Sequence, residues 1–317
     1  MKHKLNFFRV GYKTYFHYRH GVLIRKNRLR LAILNSFVML LLVSGFFGFN
    51  SYLLPALQSA SYFQAKDVVS ENIVSAETEP SVSIKDPISK TDELLSFAIK
   101  QKISSYPSSQ KWSVYAYELG SDSTVKINEN QDYDAASLYK IFLLEALEKK
   151  VSFGDWRKTY VSGKSLSQCA ELMLQVSDDP CSEDLAEYLG WDYIDEFNKE
   201  SGFENTSLAG LKGRTTTASD VGDLFVRLKK GHALSDSARR YVFDTLYQQS
   251  YSKGLASGCV DCRAAAKAGE LSNVSHDAGV ITHGSKSYVL VIMSDGGNFE
   301  QISELTSIVD ARFSKAD

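Results

Sequence analysis

No internal repeat and no low-complexity tract runs through this sequence, so architectures stacked from a short repeated motif are excluded. Residues 1–30 contain no Asp or Glu, although nine Lys or Arg stand among them, and residues 31–65 carry no charged side chain of either sign. Histidine and cysteine are scarce, at six and four in 317 residues. Cys259-Val260-Asp261-Cys262 has the spacing of a redox or zinc pair, but there is no second C-x-x-C and no paired histidine motif to complete a zinc ligand set. No metal or other cofactor is expected.

The net charge of −2 conceals an asymmetry. Beyond residue 30 the chain holds 27 basic against 38 acidic side chains, or −11. A basic head on an acidic body can signal nucleic-acid binding. Here the basic segment abuts LAILNSFVMLLLVSGFFGF, which is long enough to cross a bilayer core of about 20 helical residues. Nucleic acid is therefore not an expected partner; a membrane is. The basic flank places the N-terminus in the cytoplasm and everything after about residue 55 outside. A cleaved signal peptide has a shorter apolar region, roughly 7–15 residues. The long basic preamble and the lack of an A-x-A site favour an uncleaved anchor. The expected organisation is a cytoplasmic tail (1–30), a transmembrane anchor (31–54), an extracytoplasmic spacer (55–90) and one domain (91–317).

Four cysteines on the exported side suggest disulfides. Cys169 with Cys181 and Cys259 with Cys262 are the expected pairs, although spacing leaves the other two connectivities open. Residues 61–90 are polar and aperiodic, as a spacer should be. Within the domain, TDELLSFAIKQKI has a helix-start residue and helical apolar spacing. WSVYAYEL and TVKINEN read as a hairpin, and the region from Ser137 to Gly231 as helical. RAAAKAG, HDAGVITH and SYVLVIMSD then read as strands, with NFEQISELTSIVDARF as a closing amphipathic helix. This order predicts an α+β fold: an antiparallel sheet from the N- and C-terminal strands, flanked by the terminal helices, beside a helical lobe.

Ser-x-x-Lys occurs four times, at Ser108/Lys111, Ser123/Lys126, Ser137/Lys140 and Ser250/Lys253. Ser123 lies in the hairpin, where positions three apart point to opposite faces, and Ser108 lies in a loop after proline. Ser137 opens the helix SLYKIFLLEALEKK, which sets Ser137 and Lys140 on one face a turn apart, at the helix end that favours developing negative charge. Ser177-Asp178-Asp179 stands between two helical stretches, and Lys267-Ala268-Gly269 at a strand end. Taken singly, each has an ordinary structural explanation, such as helix capping.

In this order, S-x-x-K, S-D-x and K-x-G resemble the signature of class A β-lactamases and penicillin-binding proteins. The resemblance runs from about Thr91 to the C-terminus, and Gly213-Arg214-Thr215-Thr216-Thr217 resembles the threonine run that follows the Ω-loop in class A enzymes. It implies that Ser137 attacks the carbonyl of a β-lactam or D-alanyl cell-wall peptide to form an acyl-enzyme. Lys140 would then serve as base or proton shuttle, Ser177 as relay to the leaving nitrogen, and Lys267 as positive charge for relay and substrate. The backbone N–H groups of Ser137 and Glu270 would form the oxyanion hole. Asp179, Ala268, Gly269 and His276 fall where the family contacts substrate.

The chain also departs from that pattern. Asp179 replaces Asn, so an amide donor becomes an acceptor, and Ala268 replaces a hydroxyl residue. SGFENTSLAGLKGR lacks the E-x-x-L-N pattern; Glu204, its only acid, is out of register. The gap from Ser137 to Ser177 is shorter than in class A enzymes. These departures imply slow deacylation, or alternatively a non-catalytic cell-wall or β-lactam sensor on the same fold.

Overall fold

The computed structural model describes residues 90–210, 213–250 and 253–314. The expected basic tail, anchor and nearly all of the spacer lie outside these residues. Among the described residues no helix is long and apolar enough to cross a membrane.

The chain begins with α1 (Lys90–Ser104), then β1 (Lys111–Glu118), β2 (Thr124–Ile127) and the short β3 (Tyr133–Asp134). A 3-10 turn (Ala136–Leu138) leads into α2 (Tyr139–Lys150), and a two-residue hairpin, β4 (Tyr160–Val161) and β5 (Lys164–Ser165), precedes α3 (Leu166–Gln175). Next come α4 (Asp179–Leu189), α5 (Trp191–Glu200), β6 (Thr215–Thr216), α6 (Ala218–Lys230), α7 (Asp236–Leu246) and the one-turn α8 (Leu255–Gly258). Strands β7 (Arg263–Glu270), β8 (Val274–His283) and β9 (Lys286–Asp295) and helix α9 (Phe299–Phe313) complete the fold. The helical lobe thus reaches beyond Gly231, where sequence patterning ends it, because α7 buries Ala238, Val242, Phe243 and Leu246 against it.

The sheet is antiparallel in the order β2-β1-β9-β8-β7, so the last strand in sequence lies at its centre, paired with the first. Both faces are covered, which explains strands that are buried at nearly every position of their middles. Alternate residues part the two cores. Val114, Ala116, Leu290 and Ile292 meet Ile99, Ile302, Leu305 and Val309 of α1 and α9. Tyr115, Val289, Val291 and Met293 face Val221, Leu224 and Phe225 of α6.

Local signals set the helix starts that matter for the site. Ser165 and Gln168 form a reciprocal capping box on α3. Asp178 caps α4 by accepting from Cys181 N–H at 2.8 Å, with Pro180 in the first turn. Thr217 caps α6, which ends at left-handed Gly231.

Cys259 and Cys262 are disulfide-bonded. The bridge expected between Cys169 and Cys181 is not formed: both are buried free thiols, with sulfurs 2.8 Å apart. Burial raises the thiol pKa of both, which keeps them from the reactive thiolate form.

Candidate active site

Ser137 reaches the surface through a constrained turn. Pairing of β3 with β6 fixes Tyr133 opposite Thr216 and Asp134 opposite Thr215. Ala135 N–H then donates to Arg214 O at 2.8 Å, and Ala136 N–H to Asp134 Oδ1 at 3.1 Å. Ala136 has φ +44°, a conformation that costs a β-carbon residue about 1–3 kcal/mol. The turn therefore holds Ser137 in place at some cost to the fold. Lys140 follows in the first turn of α2, fully buried.

The S-D-D segment meets Lys140 from the other side. Ser177 also has positive φ, +57°, and with the Asp178 cap this turns Ser177 and Asp179 toward the lysine. Lys140 Nζ donates to Ser177 O at 2.6 Å, Ser177 Oγ at 3.2 Å and Asp179 Oδ1 at 2.6 Å. Lys267, buried on β7, donates to Ser177 Oγ at 3.0 Å and Ala268 O at 2.7 Å. Two lysines 127 positions apart in the sequence thus share one hydroxyl. Burial and the charge of Lys140 lower the Lys267 pKa to about 7, against the raising influence of Asp277 and Asp179.

The sheet supplies backbone donors. Leu271 N–H donates to Val274 O across the β7–β8 turn, so odd-numbered residues of β7 direct their N–H toward β8 and even-numbered ones toward the free edge. On that edge Gln249, with its amide oriented to satisfy both neighbours, accepts from Ala268 N–H at 2.8 Å and donates to Ala266 O. Glu270 N–H, two residues on, faces the same side. Gly269 brings this edge against the nucleophile: a β-carbon there would lie 3.2 Å from Ser137 N and 3.2 Å from Ala136 Cβ. The glycine permits the close approach that a side chain would obstruct.

Ser137 lies between two adjoining clefts. The larger, about 710 Å³, is lined by Asp134, Tyr139, Asp179, Glu183, Trp191, Asp192, Leu208, Arg214 and Glu270 among others. The smaller, about 250 Å³, is lined by Ser137, Val176, Ser177, Asp179, Ala268, Glu270 and Phe299. Asp179, Ala268 and Gly269 therefore all stand beside the serine.

His276 does not. Its expected place at the substrate is corrected by the structure: it is fully buried, with Nε2 2.8 Å from Asp134 O and Nδ1 accepting from Ser294 N–H at 3.2 Å. These partners require the neutral Nε2–H tautomer, in keeping with a pKa lowered by burial. His276 braces the strand that precedes the nucleophile turn. Asp277, also buried, accepts from Leu255 N–H at 2.9 Å and so ties α8 to the sheet.

Glu204 is exposed and lines neither cleft. The acids that do line the larger cleft include Glu183, which Arg214 engages at 2.7 and 2.8 Å. The guanidinium also lies over the rings of Tyr139 and Trp191, 4.4 and 4.2 Å from their centroids. Sequence reasoning missed this cluster. Its one sequence signal was Glu183 four residues after Asp179, on the same face of α4. The loop between α5 and β6 is shaped by Asp195, which accepts from Leu208 N–H at 2.5 Å, Ala209 N–H at 3.0 Å and Ser207 Oγ at 3.1 Å.

A surface serine beside buried amines and edge-facing backbone N–H groups is an arrangement suited to acyl transfer. Residues 152–311 match the β-lactamase enzyme family. The chain belongs to that family. No curated protein matches the chain. Among solved structures, PBP-A superposes with a TM-score of 0.64 at 24% identity, over 69% of this chain and 96% of that one. The TLA-1 extended-spectrum β-lactamase gives 0.64 at 18% identity, over 71% and 100%. A class A β-lactamase from Clostridium kluyveri gives 0.62 at 15% identity, over 70% and 100%. These likenesses show a β-lactamase-like serine hydrolase fold. The β-lactamase family match begins at Ser152, so it does not itself cover Ser137 and Lys140; those two rest on the geometry above.

Proposed function

We propose that this β-lactamase-family chain is a membrane-anchored, extracytoplasmic serine hydrolase that forms an acyl-enzyme at Ser137 with β-lactams or D-alanyl cell-wall peptides. The observation that carries the reading is the convergence of Ser137, Lys140, Ser177 and Lys267 from three separate parts of the chain at one pair of clefts. In this reading Ser137 Oγ attacks the carbonyl carbon, and the Ser137 and Glu270 N–H groups take the developing oxyanion. The buried lysines and Ser177 move the proton from nucleophile to leaving nitrogen. A solved point mutant of the similar PBP-A is an acyl-enzyme complex with penicillin G, which makes penicillin G the first probe.

Three features support slow release of the acyl group. Asp179 and Glu183 are already ion-paired with Lys140 and Arg214. Glu204 lies away from both clefts. Ala268 offers no hydroxyl to hold a substrate carboxylate. The same features favour, as a second reading, a non-catalytic penicillin or cell-wall sensor that binds without acylation.

Intact-mass spectrometry of the detergent-solubilised full chain decides between them. Penicillin G is expected to add one antibiotic mass to the native protein and none to Ser137→Ala. Binding with no covalent mass at any concentration supports the sensor. Anchoring has a separate test: protease added to intact cells should remove the domain, and cleavage seen only after lysis overturns the orientation.

A further inference from the structure

The two active-site lysines are not equivalent. Lys140 Nζ uses three donors on Ser177 O, Ser177 Oγ and Asp179 Oδ1, at 2.6, 3.2 and 2.6 Å. Its ion pair with the Asp179 carboxylate, at 2.6 Å, is what holds it as an ammonium, with no lone pair to accept a proton. Among the described residues, none hydrogen-bonds to Ser137 Oγ, neither Lys140 nor Ser177; Ser177 shares the smaller cleft with it. The hydrogen bonds of Lys267 run to Ser177 Oγ and Ala268 O and to no carboxylate, so it can lose a proton without breaking an ion pair. A second ammonium on the same hydroxyl would also be repelled by the first.

We infer that Asp179 fixes Lys140 as a charged positioning residue, and that the Ser137 proton leaves through Ser177 to a neutral Lys267. This rests on the acyl-transfer reading above and assigns the base within it. The Ser137 O–H bond breaks as the bond from Oγ to the carbonyl carbon forms. Ser177 Oγ takes that proton and passes its own to Lys267 Nζ, the 3.0 Å hydrogen bond between them having reversed direction when the amine is neutral. When the tetrahedral intermediate collapses, the carbon–nitrogen bond breaks and the proton returns from Lys267 through Ser177 to the leaving nitrogen. The second residue of S-D-D caps a helix; the third holds the ammonium of Lys140.

The charges that act on Lys267 come from three elements: Lys140 on α2, Asp179 on α4 and Asp277 on β8. His276, its neighbour on β8, is held neutral by its two partners. Strand β7 also packs on α7 and α8, and no charged group of either is among those acting on the lysine.

The test is the pH dependence of penicillin G acylation of the full chain in detergent, followed by intact mass. The native rate should rise about tenfold per pH unit toward an inflection near 7, where Lys267 becomes neutral. Lys267→Arg, whose guanidinium stays charged, should slow acylation at pH 8 by about 100-fold or more and remove the inflection. Asp179→Asn removes a charge that raises the Lys267 pKa, so the inflection should move to lower pH and the rate at pH 6 should rise about tenfold. A native rate that is flat from pH 6 to 9 overturns the assignment, as does an Asp179→Asn rate at pH 6 that is unchanged or lower. If the native chain gives no adduct but Asp179→Asn does, the restraint on Lys140 stands while the acyl-enzyme reading of the native protein fails. If neither gives an adduct, both fail. Melting curves for each variant separate a lost base from a lost fold.

Discussion

Arg214 holds Glu183 through two parallel hydrogen bonds, at 2.7 and 2.8 Å, while its guanidinium plane covers the rings of Tyr139 and Trp191. Four residues from four parts of the chain thus make one wall of the larger cleft. The planar fork matches a carboxylate and stacks on aromatic faces in ways a lysine ammonium cannot. Arg214→Lys is therefore expected to behave almost as Arg214→Ala. Because the pair is partly exposed, the loss of stability should be about 1 kcal/mol. Trp191 fluorescence should shift to the red, and penicillin acylation should fall mainly through weaker binding. A Lys variant with native fluorescence and acylation would show that charge alone is what this wall requires.

The pH dependence of stability provides a check on Lys267 that does not depend on any substrate. Burial and Lys140 place its folded-state pKa near 7, below the ordinary 10.5. Between these values the unfolded chain binds more protons than the folded one, so the contribution of Lys267 to stability grows as pH rises from 7 and is lost as pH falls back toward it. The buried Tyr hydroxyls titrate above this window, their pKa values being raised by burial. Lys267→Met keeps the stem and removes the charge. The stability of the native chain relative to Lys267→Met, from denaturant midpoints, is expected to rise steadily from pH 7 to 9.5. A flat difference would place the native lysine pKa near its unperturbed value.

Cysteine accessibility yields a third prediction. Cys169 and Cys181 are buried thiols on α3 and α4, and Cys259 and Cys262 form a bridge beside β7. Iodoacetamide should modify no cysteine in the folded, unreduced chain, two after unfolding and four after unfolding with reduction. Zero after unfolding alone would mean that the 169–181 bridge forms in the exported protein.

How far the sequence disclosed this arrangement depended on whether each signal was local. The sheet was legible because β1, β7, β8 and β9 are apolar runs bounded by turn residues. Ser137 and Lys140 were legible because one helical turn joins them, and Ser177 and Lys267 because they fall within short ordered motifs. The acid in Ser177-Asp178-Asp179 read only as a substitution; its effect appears when Lys140, 39 residues earlier, is seen 2.6 Å from it. His276 misled because it follows the K-A-G strand, where the family resemblance sets a basic residue against substrate, whereas its ring is buried against Asp134 O. The Arg214–Glu183 wall has almost no local signature, since α4 supplies the acid and the segment before β6 the arginine, 31 residues later.

The lifetime of the acyl-enzyme depends on whether a carboxylate can activate water beside Ser137. Deacylation needs such a base in addition to everything acylation needs, and a missing base typically costs about 10²–10⁴-fold in the step it serves. Asp179 lies on Lys140 and Glu183 on Arg214, so each carboxylate is already hydrogen-bonded to a cation and would have to leave that partner to bind a water. Glu204, the only acid of the loop between α5 and β6 and out of register in the sequence, is exposed and lines neither cleft, whereas Phe203, Thr206 and Leu208 are buried. The penicillin adduct on Ser137 should therefore persist for minutes or longer, and Glu204→Gln should leave its lifetime unchanged. Glu183→Gln is the informative contrast. It removes one of the carboxylates that line the cleft, and if Glu183 supplies what little deacylation occurs, the adduct should live longer still. Rapid turnover in the native chain, lost in Glu204→Gln, would require the loop between α5 and β6 to rearrange around bound substrate and bring that acid inward. Turnover lost in Glu183→Gln instead would mean that substrate displaces Arg214 from its partner.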